Sequence, residues 1–359
     1  MYVITNRELK NKKGLDIFGK VPNPCGPLEL RIVEVIKKGK TWQTSVTTDK
    51  LPQKKVKAIK KKFNLDIDET GDWYASLRIA CELFERAQKE KKSILFFVHG
   101  YNNDVEDVMK VAEDLEKTHG VIVVPFTWPA NGGGAVTGTL AYKSDKSDAR
   151  ASEGALNRAV GKLQYFHTLF VSGHKKILQA KANQKHKNNY EAAQALFSKL
   201  MSIECSTTIN LLCHSMGNYV LKKTLLNGGN STSQLVFDNV CLVAADTNNN
   251  NHANWVENLD VRNRVYIVIN ENDFALRASR IKPGEEQKAR LGHYVKKLNS
   301  DNAHYINVTD VDKVDKQHSY FVGDSMKNVK LKTIFTGMFN GQAIENQLNY
   351  QSDTNTYVL

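Results

Sequence analysis

Apolar runs of strand length alternate with polar and helical segments from Ser93 onward, and this alternation limits the possible folds more than any other feature of the chain. The main runs are ILFFV, VIVVPF, INLLC, VCLVAA and RVYIVI. Strands joined through helices pair in parallel, so the pattern predicts an α/β fold with a mostly parallel, twisted sheet and helices on both faces. Ligand sites in such sheets lie beyond the carboxyl ends of the strands, and each candidate residue can be tested against that position.

Charge and pattern divide the chain into three predicted parts. Residues 1–92 hold strand-like runs, a lysine-rich stretch and one helix, and we predict a basic, β-rich N-terminal extension that packs on the core. Residues 93–340 form the predicted core, with a helical insertion at about 131–200, and residues 341–359 form a C-terminal tail. The extension contains 21 basic and 12 acidic residues, so it carries +9 of the formal charge of +12 and the remainder is nearly balanced.

The cysteines and the N-terminus favour a reducing, cytoplasmic environment. The five cysteines are scattered, without C-x-x-C pairs, and two fall in apolar runs, so we predict buried free thiols. The opening residues MYVITNRELKNKKG lack the apolar segment of a secretory signal, and the apolar runs are too short to span a bilayer. The sequence contains no zinc-binding or phosphate-loop fingerprint, so we expect no metal and no cofactor.

One serine lies between the apolar run INLLC and the helical pattern NYVLKKTLL. Ser215 would occupy the sharp turn between strand and helix, with the permissive residue Gly217 two positions later. The nucleophile-elbow pattern G-x-S-x-G has glycine where this chain has Cys213, which is also small. A serine before a helix is usually an N-cap, but the HSMG context after a buried strand favours a catalytic nucleophile.

A serine nucleophile needs a base and an acid at the same edge of the sheet. His318 follows the strand-like run HYINVTDV at its carboxyl end and is the predicted base. Asp273 follows RVYIVI and is the predicted acid, while Asp246, after VCLVAA, is the alternative. The resulting order of serine, aspartate and histidine is that of α/β-hydrolases.

The oxyanion of a tetrahedral intermediate needs two main-chain donors. We predict that one is the N–H of Met216, directly after the serine. The other is expected in the loop FFVHGYNN, where Gly100 permits a tight turn and Tyr101 offers its N–H. His99 and Trp128 are predicted to support this loop and the pocket wall.

An ordered set of motifs resembles the α/β-hydrolase superfamily, and within it a large bacterial family known only as an uncharacterised, esterase- or lipase-like domain. The motifs run from Tyr2 to Phe321 and comprise YVITNR, FFVHGYNN, VPFTWPANG, YKSDKSDARAS, HSMGNYVL, NDFALRASR, ARLG and HSYF. By that resemblance Ser215, Asp273 and His318 form the triad, in agreement with their positions at strand ends. The segment AADTNNNN departs from the family, which tends to have a more acidic and apolar stretch there.

These residues predict a serine hydrolase that cleaves a carboxylic ester, or a related acyl bond, of a small-molecule substrate. Thioester cleavage and acyl transfer use the same groups. A different class of function is a binding module whose basic extension docks nucleic acid or an anionic membrane surface. Lys54–Lys62 is the candidate region for docking, although a lysine run without interleaved aromatic residues is more typical of a solvated helix face.

Overall fold

A computed structural model of the protein describes residues 1–130, 138–204, 207–227, 235–280 and 289–359. The described strands are β1 (Tyr2–Thr5), β2 (Arg7–Leu9), β3 (Phe18–Pro22), β4 (Arg31–Lys38), β5 (Thr41–Val46), β6 (Ile94–Val98), β7 (Ile122–Thr127), β8 (Ile209–His214), β9 (Asn239–Val243), β10 (Arg264–Ile269), β11 (Ala303–Asn307), β12 (Asn349–Gln351) and β13 (Thr356–Val358). The described α-helices are α1 (Gln53–Phe63), α2 (Ala75–Glu90), α3 (Val105–His119), α4 (Gly138–Ala151), α5 (Glu153–Lys185), α6 (Tyr190–Glu204), α7 (Gly217–Asn227), α8 (Ala253–Val256), α9 (Phe274–Arg280) and α10 (Val329–Phe339).

Eleven of these strands form one sheet, in the order β12-β13-β11-β10-β9-β8-β6-β7-β1-β4-β5. Every neighbouring pair from β13 to β1 is parallel, and the pairs at the two edges are antiparallel. Strands β2 and β3 form a separate pair. The predicted α/β fold with a mostly parallel sheet is confirmed.

Helices cover both faces of the sheet, as the alternation predicted. All five residues of β6 are buried, which is expected for a strand whose two faces are both covered. Its alternate residues enter different hydrophobic cores: Phe96 packs in the core that includes residues of α2, α5 and α7, and Phe97 packs in the core of α3 and α10. The hydrophobic run ILFFV therefore lies between the two main hydrophobic cores.

The N-terminal and C-terminal parts are built into the same sheet. Strand β1 pairs in parallel with β7, with Ile4 opposite Phe126 and Thr5 opposite Thr127, and β4 and β5 continue the sheet outward. Strand β13 pairs with β11, so residues 341–359 also contribute strands. The added strands satisfy main-chain donors and acceptors that the edges of the parallel core would otherwise expose.

Helices α4, α5 and α6 occupy the predicted insertion. Helix α5 spans 33 residues and packs on α2, where the rings of Phe84 and Phe170 lie 4.9 Å apart. It also meets α7, where the Thr224 hydroxyl donates to the Glu153 carbonyl at 3.1 Å. Residues 131–137, with the glycine-rich stretch at the start of the insertion, and Cys205 lie outside the described residues.

The described cysteines carry free thiols. Cys81, Cys213 and Cys241 are buried, whereas Cys25 is exposed. Burial raises the pKa of Cys81 to about 12, so this thiol stays protonated near neutral pH.

Among the described helices, none has the length and apolar character needed to cross a membrane.

We expect the substitution Gly292→Ala to destabilise the protein by about 1–3 kcal/mol, the usual cost of overpacking. A Cβ at this position would lie 2.2 Å from the Ala245 nitrogen and 2.5 Å from the Ala244 carbonyl carbon, and neither backbone atom can move freely. Urea unfolding measures the loss. Gly71→Ala is the matched control, because its Cβ would meet no atom closer than 3.6 Å. Equal midpoints for the two variants would contradict the close packing at Gly292.

Candidate active site

Ser215 lies in a strained turn between β8 and α7. Its φ of +53° falls in the left-handed region, which non-glycine residues rarely adopt and which costs of order 1–3 kcal/mol. The turn is held by main-chain bonds: the Ser215 N–H donates to the Val243 carbonyl at 3.1 Å, and the Ser215 carbonyl accepts from the Asp246 N–H at 3.2 Å. Such a turn, at the carboxyl end of a central strand, has the geometry of a nucleophile elbow.

Two glycines allow the end of β6 to approach this turn. A Cβ at Gly217 would lie 2.5 Å from the Val98 carbonyl oxygen and 2.7 Å from that of His99. A Cβ at Gly100 would lie 2.7 Å from the Cβ of Ser215 and 3.2 Å from its Oγ. The backbone of Gly100 therefore sits directly against the Ser215 side chain, and no larger residue fits at either position without movement.

His318 and Asp273 form a hydrogen-bonded pair at the same edge. The distance from His318 Nδ1 to Asp273 Oδ2 is 2.7 Å. Asp273 is fully buried, and its other oxygen accepts from the Leu276 N–H at 3.0 Å in the first turn of α9. We assign the Nδ1–H tautomer to His318 because a carboxylate faces that nitrogen, which leaves Nε2 as the basic atom.

The alternative acid, Asp246, has different partners. Its Oδ1 lies 3.1 Å from Nε of Arg290 and accepts from the Ser279 hydroxyl at 2.7 Å. Both charged side chains of this pair are almost completely buried. The structure thus places Asp273, and not Asp246, beside the imidazole of His318, although the sequence offered both.

The loop that carries His318 is held by two residues that the sequence did not single out as part of the site. Asn270, at the end of β10, donates to the carbonyls of Asp315 (2.8 Å) and Gln317 (3.1 Å). His214 donates from Nε2 to the His318 carbonyl at 3.2 Å, and the two rings lie 4.6 Å apart. Burial, followed by the nearby His318, lowers the pKa of His214, so it acts as a neutral donor.

The contact with His214 brings His318 next to Ser215, because His214 directly precedes the serine. Within the described residues, the Ser215 hydroxyl makes no hydrogen bond to His318. Hydrogen bonds of this kind in hydrolases often reach their short geometry only when substrate is bound. The elbow and the histidine–aspartate pair are therefore neighbours that share one rim of the sheet.

The loop after β6 is supported by His99 and Trp128. His99 Nδ1 lies 2.9 Å from the Gly100 carbonyl oxygen, and the Trp128 main-chain N–H donates to His99 Nε2 at 3.2 Å. The two rings stack with centroids 5.2 Å apart. Burial, with a smaller effect of Arg7, lowers the pKa of His99 to about 3, so the ring is neutral near pH 7.

The two main-chain donors predicted for the oxyanion belong to this rim. The Met216 N–H directly follows Ser215 and precedes α7, and within the described part of the chain no acceptor is bonded to it. Tyr101 follows Gly100, which touches the serine side chain.

Among the described residues there is no group of three histidine, cysteine or acidic side chains arranged to hold a metal ion.

Comparison with known proteins gives one family. The model of a family described as "Alpha/beta hydrolase of unknown function (DUF900)" matches residues 79–175 and 172–333, which is more than half of the chain. The matched region contains β6 to β11 and every residue of the rim that follows these strands. No curated protein and no solved structure matches the chain.

We expect Asn270→Ala to loosen the His318 loop without unfolding the sheet. The substitution removes the two bonds to the loop and the bond that Asn270 Oδ1 accepts from the Asn272 N–H at 3.0 Å. Loss of the bonds to the loop costs about 1–3 kcal/mol, which corresponds to roughly 5- to 150-fold faster amide hydrogen exchange at residues 314–318. Asn272→Ala is the matched control, since that exposed side chain makes a single bond to the Thr309 carbonyl at 3.3 Å. Unchanged exchange in Asn270→Ala would show that the loop is held by other contacts.

Proposed function

The chain belongs to this family of α/β hydrolases, and from that membership we propose that it is a serine hydrolase that cleaves a carboxylic ester or a related acyl bond. The observation that carries the proposal is the strained Ser215 turn, packed against Gly100 and joined through His214 to the paired His318 and Asp273. Backbone strain of this kind is retained where the surrounding structure enforces it, and in nucleophile elbows it places the hydroxyl beyond a strand end.

In the proposed reaction, His318 Nε2 removes the proton from the Ser215 hydroxyl as Oγ attacks the substrate carbonyl. Asp273 holds the tautomer and stabilises the imidazolium that forms. Its bond to the Leu276 N–H keeps the carboxylate aimed at His318 Nδ1. The imidazolium then gives its proton to the leaving group, and water hydrolyses the acyl-enzyme by the same steps with His318 again as the base.

The negative charge on the tetrahedral intermediate would be stabilised by the N–H groups of Met216 and Tyr101. Met216 stands at the amino end of α7, where the helix dipole adds favourable potential. Each such donor typically contributes about 2.7–4 kcal/mol in hydrolases that have been tested by mutation. The close contact of Gly100 with the Ser215 side chain supports the assignment of the second donor to this loop.

The alternative function, a docking module for nucleic acid or an anionic membrane, has less support. The lysine stretch forms α1, and two of its lysines are engaged in ion pairs, Lys57 with Glu69 at 3.9 Å and Lys62 with Glu85 at 2.6 Å. Pairing of this kind weakens the local positive potential. Docking through α1 does not require the strained serine turn.

We expect a fluorophosphonate probe to label the wild-type protein at Ser215 and to leave Ser215→Ala unlabelled. Hydrolysis of p-nitrophenyl esters should fall by about 10³-fold or more in Ser215→Ala and by roughly 10⁴-fold in Asp273→Asn, which leaves the imidazole in the wrong tautomer. Ser147→Ala, at an exposed serine of α4, serves as the control and should behave as wild type.

A folded wild-type protein that neither reacts with the probe nor hydrolyses any ester in a chain-length series would overturn the proposal. In that case the docking function predicts binding to DNA or to vesicles with anionic lipid that weakens steeply with salt. Neutralising Lys54, Lys55 and Lys61 would then abolish the binding.

A further inference from the structure

A buried arginine stands behind the active-site loop, and the triad does not use it. Arg7 is 2% exposed, and its guanidinium donates to Thr127 Oγ1 (3.0 Å) and to the carbonyls of Gly19 (3.2 Å), Ala130 (3.2 Å) and Asn103 (3.4 Å). All four acceptors are neutral. Burial of a charged group costs free energy unless the group is fully hydrogen-bonded, so a buried guanidinium indicates a structural or functional role.

The sheet brings Arg7 to the active-site rim from the N-terminal extension. Because β1 is parallel to β7, its carboxyl end points to the same edge as those of the core strands. Thr5 lies opposite Thr127 at that edge, and Arg7 follows two residues later. Its side chain therefore reaches the ends of β6 and β7 from a segment that is distant in sequence.

A chain of hydrogen bonds runs from Arg7 to the active-site loop. Thr127 Oγ1 accepts from Nε of Arg7 and lies 3.2 Å from His99 Nε2. Since a guanidinium only donates, the Thr127 hydroxyl has its own proton left to donate to His99 Nε2, which it shares as an acceptor with the Trp128 main-chain N–H at 3.2 Å. The proton of His99 is then on Nδ1, which donates to the Gly100 carbonyl at 2.9 Å.

The last bond of this chain fixes the direction of a catalytic donor. The Gly100 carbonyl and the Tyr101 N–H belong to one planar, trans peptide, so they point in opposite directions. Holding the carbonyl on the side of His99 therefore sets the direction of the Tyr101 N–H. Gly100 touches the Ser215 side chain, so a small rotation of this peptide changes the geometry at the nucleophile.

The rest of the loop is held from both sides. Arg7 itself donates to the Asn103 carbonyl, and the buried carboxylate of Asp145 in α4 accepts from the Asn102 N–H at 3.3 Å. Arg7 and Asp145 lie in the motifs YVITNR and YKSDKSDARAS, which contain no member of the triad. Their common contact is the loop of residues 100–103.

We propose that Arg7 is a positioning residue of the oxyanion hole, which acts through Thr127 and His99 to orient the Gly100–Tyr101 peptide. This inference rests on the proposed hydrolase function and deepens it. It makes the N-terminal extension a part of the active site. Arg7 does not touch the reacting atoms, and its effect is to lower the cost of aligning the Tyr101 N–H in the transition state.

Thr127→Val tests the inference, because it removes the relay hydroxyl and leaves three of the four Arg7 bonds. We expect kcat for a p-nitrophenyl ester to fall by about 10- to 100-fold, with KM changed by less than about threefold, since only the transition state gains from the oxyanion donor. Thr127→Ser keeps the hydroxyl and should restore kcat to within about threefold. Thr224→Val, at another buried threonine whose hydroxyl bonds main-chain carbonyls, is the matched control.

A second measurement separates positioning from general damage. An alkyl trifluoromethyl ketone, which adds to the serine to form a tetrahedral oxyanion, should lose affinity in Thr127→Val by the same factor as kcat/KM. Arg7→Met should show the same or a larger loss; if it fails to fold, Thr127→Val decides alone. Melting temperatures establish that all assays use folded protein.

The outcomes separate this inference from the proposed function. If wild type hydrolyses esters and Thr127→Val keeps its kcat and its affinity for the ketone, the positioning role is wrong and the hydrolase stands. If Thr127→Val and Thr224→Val lose activity equally, the effect is general destabilisation and the inference is again wrong. If wild type is inactive towards esters and the fluorophosphonate probe, the hydrolase proposal fails first.

Discussion

The close approach between the end of β6 and the turn after β8 is the constraint on which the rest of the site depends. Ser215 must adopt a left-handed backbone, and Gly100 and Gly217 must lack side chains, for these two segments to touch. The cost of the strained turn is of order 1–3 kcal/mol, and neighbouring main-chain bonds to β9 and the Asp246 segment offset it. The paired His318 and Asp273 and the loop after β6 lie next to this contact.

Buried polar groups hold this rim in two separate networks. On one side, Arg290 and Asp246 form an ion pair, and the main-chain N–H of Asp246 donates to the Ser215 carbonyl. On the other side, Arg7 acts through Thr127 and His99. Removing one partner from a buried network of this kind leaves an unpaired polar group, which costs more than the bond itself contributes. Both networks restrict movement at the rim, which agrees with the proposed stabilisation of a transition state there.

The N-terminal extension joins the core through the parallel pairing of β1 with β7. This pairing explains how a segment with a different charge balance contributes a residue to the active-site rim. Most of its basic side chains stay on the surface, whereas Arg7 is the buried exception among the basic residues of β1 to β5. The extension therefore contributes to the site through one side chain, that of Arg7, which positions other groups.

The sequence determined the layout of the parallel core and the identity of the strand ends. Alternation of apolar runs with helices is a local property that every βαβ unit shows, so Ser215, Asp273 and His318 could be placed at the carboxyl ends of strands from the chain alone. Gly100, Gly217 and the family motifs could be identified from the sequence for the same reason, because each lies a fixed number of residues from the end of a strand.

Tertiary structure decided the choices that depend on contacts between distant segments. Both Asp246 and Asp273 follow strands, and only the folded chain shows that Arg290 takes the first and His318 the second. No sequence pattern indicates the contacts of His214 and Asn270, because their partners are the carbonyls of a loop far along the chain. Arg7 is the extreme case, since its place at the rim follows from the pairing of β1 with β7, and strand pairing is set by the packing of the whole sheet.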